Sequence, residues 1–129
     1  MNKEELLKIK VNALERHIPI IMDDTLEVIA KILHERKPEK ILEIGTAVGY
    51  SAMRFSEYLN ENGKIDTIER DEERIAEAKE NIKKVVISCF CQQRRLITAM
   101  RIGKLKWNCL VKRLLLCITK KQRHFLVVQ

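Results

Sequence analysis

Residues 85–129 contain neither aspartate nor glutamate, although the 129-residue chain carries 18 of them. The first 84 residues set 15 lysines and arginines against all 18 carboxylates, a net of −3, while the remaining 45 hold 10 basic residues and a net of +10. Globular surfaces intersperse both signs, so the chain changes character near Lys84. Cysteine is missing from the first 88 residues, which excludes a disulfide framework there; Cys89, Cys91, Cys109 and Cys117 all fall in the second part, together with Trp107. Their spacing, even with His124, fits no common zinc pattern, and buried or incidental thiols are expected. Proline is limited to Pro19 and Pro38. No run approaches the roughly 20 uncharged apolar residues that a membrane span requires, and the opening MNKEELLKIK is charged where a signal peptide would be apolar. A cytoplasmic chain without a membrane partner is expected. Its 46% hydrophobic and 33% charged residues suit one folded domain.

Leu7, Val11, Leu14 and Ile18 recur at helical spacing and predict a first amphipathic helix, ended by Pro19. Asp23, Asp24 and Thr25 are N-cap candidates for a second helix, whose apolar stripe is Leu26, Ile29, Ala30 and Leu33 and which should stop before Pro38. The period then changes. Ile41, Leu42 and Ile44 form a short apolar run, as in a parallel strand covered on both faces, and Gly45 ends it. Ala52, Phe55, Ser56 and Leu59 predict a helix, Asn60, Asn62 and Gly63 a turn, and Lys64 to Glu69 a second strand. Asp71 to Glu73 suit a helix N-terminus and Lys79, Lys83 and Lys84 its C-terminus, with Ile75, Ala78 and Ile82 as the buried face. Strands alternating with helices predict an α/β fold with a parallel sheet. Two strands are too few, so Val85 to Phe90 and Phe125 to Val128 are the candidates for more. Leu105 to Ile118 has no clean period.

The chemistry concentrates in Glu43-Ile-Gly45-Thr46-Ala-Val-Gly49-Tyr50-Ser51, between a strand and a helix. Glycines there let backbone turn tightly and approach a ligand. Glu69, at the end of the next strand and 24 residues beyond Gly45, can accept hydrogen bonds from both ribose hydroxyls of a nucleoside cofactor. Gly45 and Gly49 are separated by three intervening residues, which departs from the G-x-G-x-x-G dinucleotide fingerprint. Glu43 would repel a phosphate and suits a cationic or hydroxyl-bearing ligand. An ammonium, a sulfonium and a ribose occur together in S-adenosyl-L-methionine (SAM).

LEIGTAVGYSAMRF and TIERDEERIAEAKENIKK resemble the O-methyltransferase family that includes caffeoyl-CoA and catechol O-methyltransferases. IPIIMDDTLEVIAKIL is most similar to bacterial members that methylate 5-hydroxyuridine at the tRNA wobble position. The resemblance covers about residues 10–84 and implies a Rossmann-like class I methyltransferase fold, present only in part. It also implies site roles: Glu43 and the Gly45/Thr46 backbone at the methionine end, Ser51 at its carboxylate, Glu69 at the ribose, and Ile21 closing over the cofactor. Family members transfer a methyl group to a hydroxyl, usually with a divalent cation such as Mg²⁺, and are often homodimers. That cation's acidic ligands come from the second half of the fold, where this chain has no carboxylate.

Residues 1–84 thus read as the cofactor-binding part of a methyltransferase, and residues 85–129 as a basic tail. Three origins for the tail compete: an RNA-binding extension, a solvated structural segment, or translation out of the original frame. The abrupt end of the resemblance favours the last, and a chain without catalytic competence. The alternative reading is a small basic RNA-binding protein on a Rossmann-like scaffold, with Arg94, Arg95, Arg101, Lys104, Lys106, Lys112 and Arg113 on phosphates and Trp107 stacking.

Overall fold

The computed structural model describes residues 2–59, 63–87, 96–101 and 124–128. Its elements run α1 (Lys3–Glu15), α2 (Asp23–Arg36), β1 (Lys40–Ile44), α3 (Tyr50–Ser56), β2 (Lys64–Glu69), α4 (Glu72–Ile87), β3 (Leu96–Arg101) and β4 (His124–Val128). The expected order of helix, helix, strand, helix, strand, helix is therefore present, and two further strands flank it.

The four strands form one sheet in the order β3-β2-β1-β4, with every neighbouring pair parallel. Ile41 pairs with Ile65 and Glu43 with Thr67, so the two central strands are level at their carboxyl ends. Successive crossovers move the chain from β1 out to β2 and β3, and it then returns to the far side of β1. The order reverses between β1 and β4. In an open parallel sheet that reversal leaves a crevice beyond the carboxyl ends of the strands, where ligands bind. Right-handed crossovers moving in one direction put α3 and α4 on the same face of the sheet. The apolar core beneath them joins Ile41 and Ile65 of the sheet to Phe55, Met53, Val85, Leu33 and Ile9.

Four details differ from the sequence reading. In α1 the buried face is Leu6, Ile9 and Ala13, continued by Ile18, while Leu7, Val11 and Leu14 are 60%, 45% and 49% exposed. Six of its apolar residues form two stripes of equal helical spacing, and small Ala13 lets one of them approach closely. The Arg16 guanidinium also pairs with Glu77 of α4 through two bonds of 2.6 and 3.1 Å. The helix also ends before Pro19: His17 takes a left-handed φ of 54°, and the Ile18 amide returns to the Ala13 carbonyl at 2.9 Å.

Val85 is helical and buried, not the start of a strand. It completes the stripe Ile75, Ala78, Ile82 and Val85, and no helix breaker stands between Lys84 and Ile87, so the change of charge at Lys84 falls inside α4. Residues 88–90 of that expected strand, Asn60 and Asn62 of the expected turn, the stretch from Leu105 to Ile118 and all four cysteines lie outside the described residues. The N-cap of α2 is Met22, with Asp23 and Asp24 inside its first turn, where they complement the helix dipole. Lys37, left-handed at φ 44°, stops α2 just before Pro38, as expected.

Candidate functional site

The crevice opens where the chain leaves β1. Gly45 donates its amide to the Ile68 carbonyl at 2.9 Å, extending the β1–β2 ladder by one bond, and then turns away with φ 98°. Ala47 is left-handed at φ 45° and Gly49 at 82°. A side chain at Gly49 would carry the strain of that conformation, and its Cβ would lie 3.4 Å from the Ala78 Cβ of α4. Two contacts hold the loop from below: the Gly49 amide on the Thr46 carbonyl at 2.8 Å, and the Asn81 side-chain amide of α4 on the Val48 carbonyl at 3.0 Å.

Glu69 closes the far side. One carboxylate oxygen accepts the Ala47 amide at 2.9 Å, and the other accepts the amides of Arg70 and Asp71 at 2.8 and 3.2 Å. Three donors fall short of the roughly four lone-pair sites of a carboxylate, so the group can still accept from a ligand. The bond to Ala47 ties the glycine loop to the end of β2, and it offsets the strain of a left-handed alanine.

Beneath the loop lies a polar network with no exposure. Glu43 is fully buried, and Thr46 and Ser51 are nearly so. The Thr67 hydroxyl donates to Glu43 Oε2 at 2.6 Å, Thr46 and Thr67 share a hydrogen bond of 2.7 Å, and the Ser51 hydroxyl also bonds to Glu43. Burial pushes the Glu43 carboxyl up to about 7; the hydroxyls of Ser51 and Thr67 pull against that shift, and the charge of Glu69 adds to it. Two carboxylates at the ends of adjacent strands, one of them desolvated, repel each other. A cation in the crevice would relieve both, whereas a phosphate would add a third negative charge.

Of the residues expected at the site, Glu43, Gly45, Thr46, Ser51 and Glu69 are brought together around this loop. They divide by depth: Gly45 and Glu69 are half-buried at the crevice, as is Ala47, while Glu43, Thr46 and Ser51 lie underneath. Ile21 is buried in the apolar cluster that also includes Val48 and Tyr50 of the loop. Thr67, Asn81 and the Ala47 amide were not singled out from the sequence. For Thr67 a signal existed: it lies two residues before Glu69, on the same face of a strand, and falls opposite Glu43 once the ends of β1 and β2 are aligned.

The fold that carries this loop is shared with known proteins. The solved structure of a protein described as a caffeoyl-CoA O-methyltransferase from Staphylococcus aureus superposes with a TM-score of 0.64 at 28% identity, over 81% of this chain and 47% of that one. The O-methyltransferase from Bacillus cereus, solved in complex with SAH, superposes at 0.66 with 19% identity, over 85% of this chain and 48% of that one. The likeness establishes the α/β class I methyltransferase fold. A protein-L-isoaspartate O-methyltransferase from Methanococcus aeolicus is 38% identical over 58 residues, which make up 45% of this chain and 27% of that protein. The chain thus spans about a quarter of that relative's length and a little under half of the two structures. A model of the protein-L-isoaspartate(D-aspartate) O-methyltransferase family matches residues 6–108, and the chain belongs to that family of methyltransferases.

Proposed function

We propose that this chain binds SAM in the crevice above Gly45 and Glu69 and descends from enzymes that pass its methyl group to an oxygen acceptor. The observation that carries the reading is the 2.9 Å bond from the Ala47 amide to Glu69, which joins a glycine loop and a ribose-competent acid at the reversal point of a parallel sheet. The donor set suits this cofactor. Glu69 keeps acceptor capacity for ribose hydroxyls, the half-buried Gly45 lies where the methionine end would sit, and an ionised Glu43 favours an ammonium and a sulfonium. Bound SAM would supply an activated methyl group; the residues described here orient the cofactor and exclude phosphates. Ser51, whose hydroxyl is engaged with Glu43, supports the site from beneath, and Ile21 supports the apolar packing behind the loop.

A divalent cation such as Mg²⁺ does not fit the donors among the described residues. Residues 85–129 offer no carboxylate, and no group of three or more His, Cys, Asp and Glu stands together among the described residues. In this reading the chain binds SAM without efficient turnover by itself. We place it in the cytoplasm as a homodimer on the family resemblance, and note that no helix among the described residues is long and apolar enough to cross a membrane.

Two acceptors follow from two observations. The family description names L-isoaspartyl and D-aspartyl protein carboxyls. The resemblance of residues 18–33 and the +10 charge of residues 85–129 favour a tRNA wobble 5-hydroxyuridine, with the basic segment on phosphates. Incubation with methyl-labelled SAM and either an isoaspartyl peptide or unmodified tRNA separates them. We expect label on tRNA at a trace rate that falls steeply with salt; label on the peptide alone would move the acceptor to the carboxyl class.

A further inference from the structure

Thr67 has no role in the proposed function, yet its hydroxyl joins Thr46 of the glycine loop to the buried Glu43 carboxyl. It stands on β2 opposite Glu43 of β1, fully buried, 2.6 Å from Glu43 Oε2 and 2.7 Å from Thr46 Oγ1. A hydroxyl has one proton, and an ionised carboxylate only accepts. When Glu43 is ionised, Thr67 must therefore spend its proton on Glu43, and the Thr46 hydroxyl must donate to Thr67. The result is a one-way chain from the loop, through β2, to the carboxylate on β1.

We propose that Thr67 is a positioning residue of the cofactor site: its hydroxyl fixes Thr46 of the loop to Glu43 and keeps Glu43 an anion beneath a cationic ligand. The proposal rests on the SAM-binding reading for its functional consequence, but its structural core does not. Without the Thr67 hydroxyl, Glu43 loses a charge-assisted donor in a site where burial already favours the neutral acid. Among the groups that act on Glu43, the Ser51 hydroxyl of α3 also favours its ionised form, and Glu69 of β2 opposes it. Glu43 would then be neutral at pH values where the intact site carries a negative charge, and a cation above it would bind less well.

Thr67→Val removes the hydroxyl at nearly constant volume, and Thr67→Ser restores it. Two readouts are taken on the full chain. The first is the ¹³C carboxyl titration of Glu43 without ligand, expected to move up by about one pH unit in Thr67→Val, roughly tenfold in proton affinity, and to return in Thr67→Ser. The second is SAM affinity against pH, expected to fall about fivefold near pH 7 in Thr67→Val, to recover at higher pH, and to be near wild type in Thr67→Ser. An unmoved Glu43 titration in folded Thr67→Val overturns the proposal, as does a pH-independent loss of affinity that serine does not rescue. If Thr67→Val fails to fold, Thr46→Val opens the chain at its other end and must raise the Glu43 midpoint by a smaller amount; no rise there also overturns it. Should the titration move while even the wild type binds no SAM, the coupling stands and the proposed function falls.

Discussion

At the scale of single residues, Glu43 combines a fold cost with a site. Its carboxyl, raised from an ordinary 4.5 to about 7 mainly by burial, binds a proton more tightly in the folded chain than in the unfolded one. Over that interval the native state holds more protons than the unfolded state, so stability falls as pH rises from about 4.5 to about 7 and then levels off. The interval corresponds to about 3 kcal/mol. Glu43→Gln, which is uncharged throughout, should flatten this slope; thermal melts of both chains at pH 5 and pH 7.5 check it, with the variant expected to be the more stable at the higher pH. That Glu43, Gly45, Thr46, Ser51 and Glu69 gather around one loop was legible because the glycines and the acid lie at the junctions of strand and helix. Their depth was not. Only the alignment of β1 with β2 shows that Glu43 is sealed by Thr67 while Glu69 faces the crevice.

At the scale of elements, α1 shows where periodicity runs out. Leu6, Ile9 and Ala13 and the stripe of Leu7, Val11 and Leu14 satisfy the same helical spacing, and the choice between them is made by packing against core residues such as Phe55 and Val85, far along the chain. Ile9→Ala should therefore cost about 2–4 kcal/mol by opening a cavity, whereas Leu7→Gln should stay within about 0.5 kcal/mol. Denaturant midpoints of the two variants test the assignment, and the reverse ranking would restore the stripe that the sequence favoured. In α2, β1 and β2 the reading succeeded because their boundaries carry local signals: Pro38, Gly45 and the Asp71 cluster. Leu96–Arg101 carried none, since Thr98 and flanking arginines interrupt the apolar run that a covered parallel strand usually shows. α4 passes through the charge boundary at Lys84 because its buried stripe needs Val85, a packing demand that charge counts do not register.

At the scale of the whole molecule, β3 and β4 come from the carboxylate-free part of the chain and lie on either side of β1 and β2. They cover the backbone edges of the two strands that end at the site, and β4 creates the reversal of strand order that makes a crevice there. Fold class was readable from the alternation of helices and strands, but the position of the crevice required the full strand order. The central claim is that this crevice takes SAM. Titration calorimetry of the full chain with SAM, beside Glu69→Ala, tests it most directly. The account predicts saturable 1:1 binding that weakens at least tenfold in a variant that remains folded. Absence of binding to the folded wild-type chain, or equal binding by both chains, would contradict it.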